Sequence, residues 1–369
     1  MGSKILPEAT PYRSFPQNIL KCCIIAEGLH LMKQTVNKRW FFLPFLLIFS
    51  FVLNLYLGSV HIPIADLTGI LFGKNPDNKV WSDIVWQFRM TKALTCALAG
   101  ASLSLAGLAM QTLFRNALAG PDVLGISSGA SLAVSLIIMG QAAWLPAVVS
   151  GPWTIATAAT LGSASVLFVV LAVARSLREN TSLLIVGLMI GATVSSLVSV
   201  LQYVSNASDQ QSFLIWTLGS LGGLNYSEIS LLAVTLAVAT GVALMFAKNM
   251  NAWLLGDNYA ASLGILPGPA RIAMILIACI LTGAVTAFCG PIAFVGLAVP
   301  HFSRIVFRTH NHLILIPAVA VNGAILLLLC DVAAQLPGSS YVLPINAITA
   351  LIGAPAVISI VLRARHVAI

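Results

Sequence analysis

Between Lys92 and Arg115 the chain carries no charged side chain: ALTCALAGASLSLAGLAMQTLF is apolar or small throughout. At 1.5 Å per residue, a helix over this run crosses the roughly 30 Å hydrocarbon layer of a bilayer. Similar runs occur near 41–60, 124–141, 152–174, 182–204, 228–247, 271–288, 291–307, 313–334 and 344–362, the third and eighth of the ten being short and glycine-rich. The 369 residues are 59% hydrophobic and 8% charged, whereas soluble domains carry about 25% charged residues. The expectation is an all-α polytopic membrane protein of about ten transmembrane helices, one domain over 40–365 after an N-terminal extension over 1–39.

A net charge of +8 could suggest nucleic acid, but the basic residues form no stripe and do not alternate with stacking aromatics, so nucleic acid is excluded as a partner. They punctuate the spans instead. Lys33, Lys38, Arg39, Arg115, Arg175, Arg178, Lys248, Arg271, Arg304, Arg308, Arg363 and Arg365 fall on one side, against Lys74, Lys79, Arg89 and Lys92 on the other. The positive-inside rule then puts both termini in the cytoplasm. Of the six cysteines, Cys96, Cys279, Cys289 and Cys330 sit in or beside apolar spans without metal-ligand spacing and read as packing residues. Neither a metal site nor a cofactor is expected. Cys22 and Cys23, adjacent in the extension, are candidates for lipidation. MKQTVNKRWFF reads as a chain start just before the first span, which makes Met32 the expected native start.

No G-x-x-x-x-G-K-[ST] loop, H-E-x-x-H pair or G-x-S-x-G elbow occurs. The chain is therefore expected not to be an enzyme, and any ATP hydrolysis falls to another subunit. Inside the spans Asp331 is the carboxylate that stands out, and it reads as a structural hydrogen-bonding group. A secondary transporter or channel, the alternative reading, would be expected to show more charge at membrane depth.

Three segments carry more specific information: RMTKALTCALAGASLSLAGLAMQTLFRNALAGPDVLGISSGA (89–130), GPIAFVGLAVPHFSR (290–304) and LPINAITALIGAP (343–355). They resemble, in order, the signatures of FecCD-type permeases, the membrane subunits of bacterial ABC importers for iron chelates, haem and cobalamin. The resemblance runs from about Trp40 to Arg365. It implies a type II ABC importer permease fold in the bacterial inner (plasma) membrane. It also implies a pair of ATP-binding subunits at the cytoplasmic face, a periplasmic or lipid-anchored substrate-binding protein, and a second permease copy forming a homodimer. The cargo it implies is a metal chelate, a ferric siderophore foremost, with haem and cobalamin as the other choices.

KNMNAWLLGDNYAASLGILPGP (248–269) is too interrupted by Lys248, Asp257 and its prolines to span, and longer than the two to eight residues usual between packed helices. Tyr259 to Leu263 has helical composition bounded by glycines. The resemblance makes this segment the coupling helices that dock on the ATPase, with Leu255, Gly256, Asp257, Ala260, Leu263 and Gly264 at the contact; an ordinary connector is the alternative. Thr181 and Ser182 fall where the family has its cytoplasmic gate, although the residue types serve equally as helix N-caps. Arg89 and Lys92, spaced i, i+3, are expected on one helix face. The family uses an Arg-x-x-Arg pair here to meet glutamates of the binding protein. Lys92 keeps the charge and loses the bidentate fork, and a third family arginine aligns with Gln335. A membrane-interface anchor is the alternative role for the pair. Ser205 to Glu228 is expected outside, with a short non-spanning helix over 213–221. His301 reads as a residue of a general signature rather than a haem ligand, and His310 and His312 as solvated at a turn.

Overall fold

The computed structural model describes residues 38–58, 60–73, 79–140, 152–177, 180–264, 267–335 and 342–365. The expectations for Met32, Cys22, Cys23, Lys33, Lys74 and Arg178 lie outside these residues. Helix α1 (Lys38–Tyr56) opens the described chain.

Among the described residues all regular structure is helical. After α1 come α2 (Ile64–Leu71), α3 (Lys79–Asp83), a π-helical segment Ile84–Met90, and α4 (Thr91–Phe114). A 3₁₀ turn Pro121–Leu124 leads to α5 (Ile126–Gly140), α6 (Pro152–Ser176), α7 (Asn180–Val204), α8 (Ala207–Thr217) and α9 (Tyr226–Met245). Two short helices, α10 (Ala247–Leu254) and α11 (Asp257–Ser262), precede α12 (Pro267–Cys289), α13 (Val295–Phe307), α14 (His312–Ala334) and α15 (Ile345–Arg365). Among the described residues, six helices are long and apolar enough to cross a membrane: Lys79–Phe114, Trp153–Ser176, Asn180–Val204, Tyr226–Met245, Gly268–Cys289 and His312–Ala334. Shorter apolar helices, Phe42–Tyr56, Ile126–Gly140, Val295–Phe307 and Ile345–Pro355, occupy the other expected spans.

Ahead of α4, helix runs back to Lys79 through the π-helical segment. The wider π turn admits polar Gln87 and Arg89 without ending the helix. Elsewhere helix ends follow the local chemistry. Asn225 and Glu228 form a reciprocal capping box at the start of α9, with N–H to carboxyl or amide oxygen distances of 2.9 and 3.0 Å. The Asn311 side chain accepts from the Leu313 amide at the start of α14. The 205–228 stretch does hold a short helix, α8, but over 207–217 rather than the expected 213–221, ending where Leu218 and Gly219 turn the chain.

α4 is the central column, packed against α14, α12, α13 and α9; 83% of its span is buried, against 17% for α7. Close approach is what lets so many helices share it. Gly100 faces Gly323 of α14, and Gly107 faces Gly296 of α13, so tightly that a Cβ on either α4 glycine would run into the opposing carbonyl. Helices without a hydrophobic driving force between them in lipid gain van der Waals contact this way.

A methyl group at that contact must push α4 and α13 apart, an overpacking that costs about 1–3 kcal/mol. Gly107→Ala is therefore expected to lower the midpoint of thermal unfolding in detergent. Gly241→Ala, in open space on α9, is expected to leave the midpoint unchanged or raise it, because alanine favours helix over glycine.

Candidate functional site

The last carbonyls of a helix have no partner within it and must find donors elsewhere. At the C-terminal end of α4 the chain turns through Arg115, a left-handed residue at φ 48°. The amides of Arg115 and Asn116 return to the carbonyls of Thr112 and Gln111. The Leu113 carbonyl is served by two side chains from other elements. The Trp253 indole N–H of α10 donates to it at 3.2 Å and the Asn180 amide of α7 at 2.9 Å. Arg115 lies over the Trp253 ring, 5.6 Å from its centre, a cation–π contact that fixes the indole.

Beside this point His312 joins α14 to α10. The Asn251 side-chain oxygen accepts from the His312 backbone N–H at 2.9 Å and lies 2.7 Å from Nδ1. Nδ1 therefore carries the hydrogen, leaving Nε2 as the acceptor 2.8 Å from the Thr112 hydroxyl. The expectation of a solvated His312 is corrected: the ring has no exposed surface, because the turn before α14 tucks it under α10. His310 is exposed, as expected.

The expected coupling residues lie next along the chain. Gly256 (φ 112°) precedes α11 and Gly264 (φ 75°) follows it, both in backbone conformations that side chains disfavour. Between them Ala260 is fully buried, whereas Leu255, Tyr259 and Leu263 are about half to two-thirds exposed. Leu255 lies before the turn at Gly256, Tyr259 within α11 and Leu263 at its end, beside exposed Gly264. Asp257 opens the helix. Thr181 and Ser182 are the second and third residues of α7, inside the helix rather than at its cap; Thr181 is exposed and Ser182 half-buried.

At the other end of α4, Arg89 lies in the last turn of the π-helical segment and Lys92 is the second residue of α4, and each has its own partners. Arg89 is buried and turned to the end of α1, donating to the carbonyls of Leu55 at 2.8 Å and Tyr56 at 3.0 Å, and to that of Val60. Lys92 points to α14, where its Nζ is 2.9 Å from Asp331. The other Asp331 oxygen accepts from Asn54 of α1 at 2.9 Å and from Gln335 at 2.7 Å. A carboxylate 3% exposed is thus held by a cation and two amides from three elements, the company a buried charge requires. Lys92 and Gln335 keep partial exposure; Arg89 does not.

The three sequence signatures meet one another. Gln111 accepts from Arg304 and donates to the Leu297 carbonyl at 3.0 Å, and so ties the end of α4 to α13. The Asn346 side chain accepts from the Ala293 amide at 3.1 Å, and Gly353 leaves room for the Phe294 ring. His301 is half-buried on α13. Sequence reasoning passed over Asn180, Asn251 and Trp253. Their signal was faint: a tryptophan and asparagines at the edges of apolar runs.

A family model described as the FecCD transport family matches residues 46–363. The chain is 32% identical over 339 residues to the vitamin B12 import system permease protein BtuC of Klebsiella pneumoniae, covering 90% of this chain and 96% of that one. It is 34% identical over 328 residues to the hemin transport system permease protein HmuU of Yersinia pestis, covering 88% and 96%. A solved structure described as an inward-facing conformation of a metal-chelate type ABC transporter superposes with a TM-score of 0.74 at 28% identity, covering 87% of this chain and 97% of that one.

Removing one member of the Lys92–Asp331 pair strands the other in the interior. Lys92→Met and Asp331→Asn are each expected to destabilise the protein by about 2–3 kcal/mol, between the values for exposed and fully buried pairs. Denaturant unfolding in detergent checks this. Lys92→Met combined with Asp331→Leu should recover part of the loss, since no unpaired charge is left.

Proposed function

The chain belongs to the FecCD transport family, and on that footing we propose that it is the permease subunit of a binding-protein-dependent ABC importer that moves a metal chelate into the cytoplasm. The observation that carries this is the exposed apolar group on and around α11: Tyr259 within the helix, Leu255 just before Gly256, and Leu263 at its end beside Gly264. Exposed apolar side chains gathered at a short helix outside the spans make a docking surface, here for a separate ATP-binding subunit. The basic residues at the same end of the spans, Arg115, Lys248 and Arg308 among them, favour that end as the cytoplasmic one. Both termini then lie on that side of the inner membrane, and 248–269 is the coupling segment of a single permease domain over 40–365.

A second copy of the chain is the partner that covers α7. This helix is long enough to span yet only 17% buried, and hydroxyls of Thr193, Ser196 and Ser199 lie on its exposed surface. Thr181 and Ser182 stand at its cytoplasmic start as the gate between the two copies. The periplasmic or lipid-anchored binding protein docks at the opposite end, where Lys92 and Gln335 meet it while keeping their internal bonds; Arg89 acts behind them by fixing the end of α1. Vitamin B12 and hemin, named for the relatives, are both large metal chelates. A ferric siderophore leads as cargo, with haem and cobalamin beside it.

Reconstitution in liposomes with the cognate ATPase and binding protein is expected to give ATP-dependent uptake of one ligand among a ferric siderophore, haem and cobalamin offered side by side. Gly264→Val, which puts a β-branched residue at φ 75°, should lower that uptake by about tenfold or more and weaken ATPase co-purification. Uptake that needs no ATP would instead make the chain a secondary transporter.

A further inference from the structure

Resting on that reading, we infer that the Leu113 carbonyl is the joint through which movement of the ATPase-facing segment reaches the gate helix, with Trp253 and Asn180 as its two positioning residues. One oxygen accepts from both: the Trp253 indole at 3.2 Å and the Asn180 amide at 2.9 Å.

The geometry fits transmission rather than local stabilisation alone. Leu113 is fully buried at the end of α4, the helix wedged by glycine contacts against α13 and α14, so the acceptor is fixed. Neither donor belongs to α4: one is on α10 and the other on α7. Trp253 is at the end of α10, two residues before the exposed Leu255, and its ring is 2% exposed. The indole therefore cannot itself touch an ATPase, but it travels with the residues that can. Asn180 is the first residue of α7 and immediately precedes Thr181, and α7 is the least covered of the long helices.

A carbonyl oxygen has two lone pairs and can hold both donors. Tilting α10 draws the indole off its lone pair and carries Arg115 with it through the 5.6 Å ring contact. Arg115 is the left-handed residue that closes the α4 turn. The carbonyl is then left with the Asn180 amide alone, and a buried acceptor that loses a donor pulls harder on the one it keeps. The start of α7, and Thr181 with it, is thereby set by the position of α10. His312 and Asn251 hold the other side of α10 to α14 and the Thr112 hydroxyl, which leaves the Trp253 side as the one that moves.

The test reads the gate directly. Thr181→Cys is introduced into a chain carrying Cys22→Ser and Cys23→Ser; Cys96, Cys279, Cys289 and Cys330 are buried and stay. The complex with its ATPase is reconstituted, and the rate of labelling by a membrane-impermeant maleimide is measured with and without ATP plus vanadate. Trp253→Phe keeps the ring and removes the donor, and Asn180→Leu removes the other. Each is expected to shrink the nucleotide-dependent change in labelling by roughly two- to tenfold, the factor one hydrogen bond is worth. The double variant should show no further loss, because the two donors act in series through one oxygen. ATPase retained on the complex is measured on the same samples. A nucleotide response as large as in the parent overturns the inference, as do additive losses. Loss of the ATPase from both variants also overturns it, since the joint would then be a structural clamp. A parent complex whose labelling ignores nucleotide would instead sink the importer reading itself.

Discussion

Every helix that ends in or beside lipid leaves carbonyls that water does not reach, and at membrane depth an unsatisfied one costs several kcal/mol. Much of the polar chemistry of this chain answers that need. Arg89 serves the end of α1, Arg271 serves the Ala174 and Leu177 carbonyls at the end of α6, and Asn180 and Trp253 serve the end of α4. In each case the donor comes from a different element, so satisfying a helix end also fastens two helices together. Cationic side chains suit the purpose because a helix C-terminus carries partial negative charge. With so few charged residues, the chain uses several of them inside.

The same logic explains what its signature segments encode. Gly107 and Gly296 permit contact between α4 and α13, Arg304 and Gln111 lock it, and Asn346 and Gly353 bring α15 against the strand of backbone before α13. These are requirements of packing. The cargo is not written in them, because the contacts they make run from helix to helix.

How far the fold was legible follows from this. Charge-free runs mark spans directly, since lipid punishes charge; all ten expected positions hold helices. The glycines around Tyr259 gave away α11, because φ of 112° and 75° at Gly256 and Gly264 leave few other choices. Directions of side chains were less accessible. The partners of Arg89 and Lys92, carbonyls at the end of α1 and the Asp331 carboxylate of α14, are not legible from their i, i+3 spacing. His312 looked solvated because its sequence neighbours are polar, and its burial depends on Asn251, sixty-one residues away. Short-range pattern reports the environment of a segment; which side chain meets which is decided by elements far along the chain.

The arrangement around α4 also imposes an order on biosynthesis. α4 is made early, whereas α12, α13 and α14, which cover it, follow long after. At about 5–20 residues per second of synthesis, the interval between Lys92 and Asp331 lasts on the order of ten seconds or more. During that time a helix with a lysine at one end and Gln111 and Thr112 at the other waits in the bilayer without its partners. The nascent chain is thus most vulnerable to quality control before α14 emerges, and the arrival of Asp331 makes burial of Lys92 affordable.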